Sequence, residues 1–139
     1  MSGAQKAPGA LMAAETEEAA EIFIRNAARD VSGLPGMRAL GDCRAYYTVA
    51  RGSSDAVANM LAYEAMRVFK RPVTSLPPSV FSIFGGLAVE NAGGIFISQS
   101  GESADLVRSC EGLGKAGAAT LAITNAGTSP LARAAGSVL

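Results

Sequence analysis

Short apolar runs alternate with amphipathic ones along this chain, and that alternation limits its fold more than any single residue does. "CRAYYTVA" (43–50), "RPVTSL" (71–76), "GGIFIS" (93–98) and "ATLAITN" (119–125) have the β-branched and aromatic content of strands. Helical patterns lie between them. "AVANMLAYEAMRVFK" (56–70) carries Val57, Met60, Leu61, Ala65 and Val68 at helical spacing, and Pro77-Pro78 marks a break before a short helix at "SVFSIFGG" (79–86). "SADLVRSCEGLGKAG" (103–117) turns Leu106, Val107, Cys110 and Leu113 inward. "TSPLARAA" (128–135) opens a helix with Ser129 as its cap and Pro130 in the first turn, where the missing N–H costs nothing. "GSVL" (136–139) reads as the start of another strand. Continuous apolar strands alternating with helices make a parallel sheet covered on both faces. The expected fold is α/β, a three-layer doubly wound parallel sheet of the flavodoxin-like kind. Ending on the opening residues of a strand reads as truncation at the C-terminus.

Ahead of the sheet, "MSGAQKAPGA" is small and polar, and residues 1–11 read as a flexible tail. An amphipathic helix is expected from Met12 to about Asp30, with Ala19, Ile22, Phe23 and Ala27 on one face; "VSGLPG" ends it. One helix thus precedes the first strand, and residues 12–139 form one domain.

Charge and residue counts exclude several function classes. Twelve basic residues balance twelve acidic ones with no run of either sign, whereas a nucleic-acid or anionic-membrane surface needs clustered Lys and Arg. No apolar run reaches the ~18 residues of a membrane span, and no signal-peptide core is present. The expectation is a soluble, cytoplasmic protein that binds neither nucleic acid nor membrane. The two cysteines, Cys43 and Cys110, have no metal or redox spacing and read as buried reduced thiols. With no histidine in the chain, no Ser-His-Asp or Cys-His arrangement and no imidazole zinc site can be built from it alone. A base must be a carboxylate or lysine, or come from another polypeptide.

In a parallel α/β sheet, ligands sit beyond the carboxyl ends of the strands. Two loops there stand out: "RGSSD" (51–55) after the first strand and "SQSGES" (98–103) after the third. Each brings hydroxyls, a glycine and a helix N-terminus, a combination suited to an anion. Ser54 or Ser100 could simply cap the helix behind it, a role worth ~1 kcal/mol. Capping uses one hydroxyl per helix, which leaves Ser98, Gln99 and Ser103 over. Gly101 lets the backbone approach a ligand closely.

"ISQSGES" leading into an "ADLV" helix, with "RGSSD" upstream and "TN…SPLA" downstream, resembles the sugar isomerase (SIS) domain family. The similarity is greatest to the first SIS domain of the two-domain proteins related to glucosamine-6-phosphate synthase and deaminase, and runs from about Glu15 to Leu139. The resemblance implies substrate contacts at Ser53, Ser54, Ser98, Gln99, Ser100 and Ser103, with the serine loop on the phosphate and Gln99 and the first loop toward the sugar. It implies a hexose or hexosamine 6-phosphate ligand, no metal or other cofactor, and a second SIS domain and homodimer partner that hold the isomerising base, the ring-opening histidine and the lysine. No catalytic residue is carried over to this chain. The synthase's Cys-Gly-Thr-Ser is here Arg51-Gly52-Ser53-Ser54, a departure toward the deaminase-like branch; Arg51 could supply charge to the phosphate, or equally be a solvent-facing or structural arginine. Its glutaminase cysteine next to the initiator Met is replaced by "MSGA", so glutamine hydrolysis is not expected.

Three features are decoys. "GLGKAG" (112–117) matches a dinucleotide fingerprint but ends a helix and precedes a strand, the reverse of the required order. "SQSGES" is no nucleophile elbow, since no histidine could activate a serine. Glu102 reads as an acid complementing a helix N-terminus rather than a base. Two functions follow: a phosphosugar isomerase or deaminase domain, or a non-catalytic phosphosugar-sensing module.

Overall fold

In the computed structural model, which describes residues 9–31, 33 and 35–139, each apolar run is a strand. They are β1 (Ala45–Val49), β2 (Val73–Ser75), β3 (Ala92–Ile97), β4 (Ala119–Ile123) and β5 (Ser137–Val138). All pair in parallel in the order β2-β1-β3-β4-β5. The expected doubly wound α/β fold is therefore present. β1 and β3 are neighbours in space, yet the chain leaves β1 toward β2 and leaves β3 toward β4. Their carboxyl ends accordingly flank a topological switch point.

Six helices accompany the strands among the described residues: α1 (Ala10–Ala27), α2 (Met37–Gly41), α3 (Ser53–Phe69), α4 (Ser79–Ser82), α5 (Ala104–Lys115) and α6 (Pro130–Ala134). Residues up to 33 and from 34 onward are separate compact units. In the first, α1 starts at Ala10, so the last two residues assigned to the tail are helical; residues 1–8 lie outside the described residues. None of its residues is buried. The second helix ahead of β1, α2, was not expected: five residues are too few to show a period. Tyr46 of β1 ties it down by donating its hydroxyl to the Leu40 carbonyl at 2.5 Å.

The core lies on both faces of the sheet. On one face Tyr46, Ile95 and Leu121 meet Ala58, Ala62 and Ala65 of α3. On the other, Val49, Phe96 and Ala122 meet Leu106, Cys110 and Leu113 of α5, with Leu131 of α6. The inward face expected for α5 is correct for those three, while Val107 is half-buried. α3 is the helix that the spacing predicts, but the periodic set is not its buried face. Val57, Met60 and Val68 are 55%, 74% and 60% exposed, and of the periodic set only Ala65 is buried. Small side chains let α3 lie close to the sheet, so its alanine face wins the contact. Leu61 and Val68 line instead an apolar groove of ≈ 370 Å³ with Tyr46, Ile95, Leu121 and Ile123.

α5 also approaches the sheet closely. A Cβ on Gly94 of β3 would come within 2.3 Å of the Leu113 side chain, so this strand position has no room for a side chain. The helix ends as the "GLGKAG" reading requires: Gly117 sits at φ +95 just past the C-terminus, and the Ala118 N–H returns to the Leu113 carbonyl. These glycines turn the chain from α5 into β4.

Candidate functional site

The loops after β1 and β3 lie side by side at the carboxyl edge, since Val49 and Phe96 are in register at the ends of their strands. Their helices diverge, α3 to one face and α5 to the other, and both start from loops at this edge, on either side of the switch-point crevice. A second cleft of ≈ 280 Å³ adjoins the first loop, lined by Arg51, Gly52, Asp55, Ser75 and Pro78. The larger groove beside α3 is lined almost wholly by apolar side chains and offers few donors to an anion.

The second loop is held from below. Ser98 is 7% exposed and its hydroxyl accepts the Gly101 N–H at 3.1 Å, while its own N–H reaches the Ile123 carbonyl. Gly101 adopts φ +64 and is buried against Ser129, leaving no room for a Cβ. The Gly101 carbonyl accepts from the Leu131 N–H. The Gln99 carbonyl accepts from the Asn125 N–H and the Thr124 hydroxyl. The β4–α6 loop thus clamps the backbone of residues 99–101. That leaves the side chains of Gln99 and Ser100 exposed and Ser103 half-buried.

The expected cap is absent where it mattered. Gly52 and Ser103 occupy the N-cap positions of α3 and α5, and neither helix has a side-chain cap bond. Among the described residues the N–H groups of Ser103, Ala104 and Asp105 have no hydrogen-bond partner, and neither do those of Ser53 and Ser54. The contrast is α6, whose Ser129 hydroxyl accepts the Ala132 N–H at 3.2 Å with Pro130 next to it, as expected. Ser100 accepts from the Glu102 N–H at 3.3 Å, a local turn rather than a cap. The expectation that one loop serine serves as a cap is therefore corrected. Two helix N-termini with unspent donors face one crevice.

Of the six residues expected to contact substrate, Ser98, Gln99, Ser100 and Ser103 follow β3 in one loop. Ser53 and Ser54 form the first turn of α3 across the crevice, Ser53 exposed and Ser54 half-buried. Glu102 lies ahead of the helix and is exposed; the acid in the first turn of α5 is Asp105. Asp105 was missed by the sequence reading, and so was its ion pair with Arg51, which joins the two loops. An acid two positions past Ser103 was the visible signal for the first; nothing local signals the second.

The environment of both cysteines favours the protonated thiol. Burial pushes the Cys110 thiol up to about 11, partly offset by the Thr120 hydroxyl, and burial likewise raises Cys43. Both are buried and unpaired, as expected. Among the described residues no group of three or more His, Cys, Asp or Glu could hold a metal ion, and no helix is long and apolar enough to cross a membrane.

The SIS domain family model matches residues 39–139, nearly all of the second unit. This chain belongs to the SIS domain family. The SIS fold spans a set of solved structures with different roles. A protein assigned as a phosphosugar isomerase, from Silicibacter pomeroyi, is 38% identical over 89% of this chain and 38% of its own, with a TM-score of 0.77. The glucosamine-6-phosphate deaminase of Thermotoga maritima is 21% identical with a TM-score of 0.64, covering 78% of this chain and 34% of its own. The Vibrio vulnificus NanR protein, solved with ManNAc-6P, is 16% identical with a TM-score of 0.74, covering 95% of this chain and 51% of its own. The last two likenesses are of fold alone. This chain spans between about a third and a half of each of these proteins. A search of curated proteins finds no match.

Proposed function

We propose that this SIS domain is the phosphosugar-binding part of an amino-sugar phosphate isomerase or deaminase in the cytoplasm, acting on glucosamine 6-phosphate or fructose 6-phosphate. The observation that carries the reading is the pair of uncapped helix N-termini flanking the switch-point crevice, with the serines of both loops unspent on caps. Backbone N–H groups and the helix dipole favour a phosphate, and hydroxyls add donors without fixing a charge. Ser98, Ser100 and Ser103 hold the phosphate in this reading; Gln99, Ser53 and Ser54 face the sugar. The chemistry is aldose–ketose interconversion, with ring opening followed by proton movement between C1 and C2 by a carboxylate. The domain's share is positioning, which converts binding into rate by fixing the open-chain sugar. The base and the ring-opening group come from a second SIS domain or a partner copy. A chain without histidine also fits a second reading, a sensor that binds a phosphosugar and turns nothing over.

Calorimetric titration of the chain with glucosamine 6-phosphate, fructose 6-phosphate and the unphosphorylated sugars tests the site. The expected result is phosphate-dependent binding that a Ser98→Ala, Ser100→Ala double variant weakens by about tenfold or more, as for lost hydrogen bonds to a charged group. Equal affinity for phosphorylated and free sugars, or an unaffected double variant, contradicts the reading. Turnover of either sugar phosphate by the chain alone excludes the sensor.

A further inference from the structure

Arg51 and Asp105 form the one ion pair among the described residues that joins the two loops of the crevice. Arg51 follows β1 and Asp105 stands in the first turn of α5 after β3, so the pair spans the switch point itself. The carboxylate is fixed from its own helix: Oδ1 accepts the Leu106 N–H at 3.0 Å, and Oδ2 is left for Arg51. Asp105 is also the more buried partner, with a side chain 19% exposed against 66% for Arg51. Only Nη1 of the guanidinium is engaged, and among the described residues the rest of its donor fork has no partner. Asp55 lines the same cleft as Arg51 but makes no ion pair with it.

The charges pose a problem that the pair solves. A carboxylate in the first turn of α5 stands among the N–H groups suited to the phosphate and would repel it. Pairing with Arg51 neutralises that charge and brings a cation with unspent donors to the crevice. An exposed pair of this kind contributes little to folding, so stability alone gives no reason for its placement.

We infer that Arg51 is the cation that binds the ligand's phosphate and that Asp105 is its positioning residue, holding the guanidinium across the crevice while its free donors meet the anion. The inference rests on reading this crevice as a phosphosugar site. It gives the first loop a charged contact with the anion, which Ser53 and Ser54 as neutral donors do not supply.

A double-mutant cycle on the whole chain tests it, with glucosamine 6-phosphate titrated into the wild type, Arg51→Ala, Asp105→Asn and the double variant. Arg51→Ala is expected to weaken binding about tenfold or more, the scale of a hydrogen bond to a charged group. Asp105→Asn alone is expected to weaken it by about threefold to tenfold, because the arginine loses its anchor. In the Arg51→Ala background the sign reverses: removing the now unpaired carboxylate tightens binding by about threefold. A purely structural link between loops gives no such reversal. Asp105→Asn that leaves affinity unchanged or improves it while Arg51 is present overturns the inference and leaves the serine site standing. A double variant that binds no better than Arg51→Ala also overturns it. Folded wild type without phosphate-dependent binding overturns the site reading and this inference together.

Discussion

Gly101→Val is expected to abolish phosphosugar binding and to destabilise the domain by about 3 kcal/mol or more, from backbone strain added to overpacking. The backbone there is at φ +64, a region that β-branched residues essentially do not occupy. A Cβ would lie 2.1 Å from the Ser129 hydroxyl oxygen and 2.6 Å from its Cβ. Ser129 cannot move freely because it caps α6, a bond worth ~1 kcal/mol. Relieving the clash therefore costs either that cap or the position of the 98–103 loop, and both hold the crevice together. Gly101→Ala keeps the contact with less strain and should lose affinity while remaining folded. Gly127→Ala is the control: a Cβ there meets nothing within 4 Å, and melting and binding should match the wild type. Chemical denaturation and calorimetry on the three variants check the set. A folded Gly101→Val variant with undiminished affinity contradicts the geometry described.

Phe96→Ala is expected to cost ~3–5 kcal/mol, the largest effect of any single truncation here. Phe96 lies on the central strand β3, is fully buried and belongs to the cluster under α5. Against a total of roughly 5–15 kcal/mol for an ordinary domain, that loss leaves the fold marginal. Its functional consequence follows from register, because Phe96 pairs with Val49 at the ends of strands whose loops form the crevice. Loosening that pair moves both loops. Urea unfolding measures the effect as a lower midpoint with an unchanged slope. A cost below about 1 kcal/mol, the scale of a surface change, would contradict the packing of α5 on β3.

The features legible in the amino-acid sequence were those with a period or a local chemistry. The strands at 93–98 and 119–125 and the α5 face of Leu106, Cys110 and Leu113 stand as expected. Ser129-Pro130 starts α6 as its chemistry requires. The buried face of α3 was not legible, because a hydrophobic stripe shows where apolar residues are, not which side reaches the sheet. There the alanines at 58, 62 and 65 pack closer than Val57 or Met60 could. The cap assignment failed for a related reason. Serine at a helix start predicts a cap, but the N-cap positions fell on Gly52 and on Ser103, whose side chain makes no cap bond. Arg51–Asp105 was out of reach because 54 positions separate the two and only the β1–β3 pairing brings them together. The serine loops and the Arg51 charge were legible in the sequence; the pairing of that charge with Asp105 was not.

The most direct test follows the backbone amides themselves. An amide nitrogen–proton correlation spectrum of the chain, titrated with glucosamine 6-phosphate and separately with glucosamine, locates whatever binds. Phosphate-dependent shifts are expected to concentrate at Ser98 to Asp105, with Ser103, Ala104 and Asp105 among the largest, and a second set at Arg51 to Ser54. Shifts confined to the groove residues Leu61, Val68 and Ile123, or equal for both sugars, would contradict it.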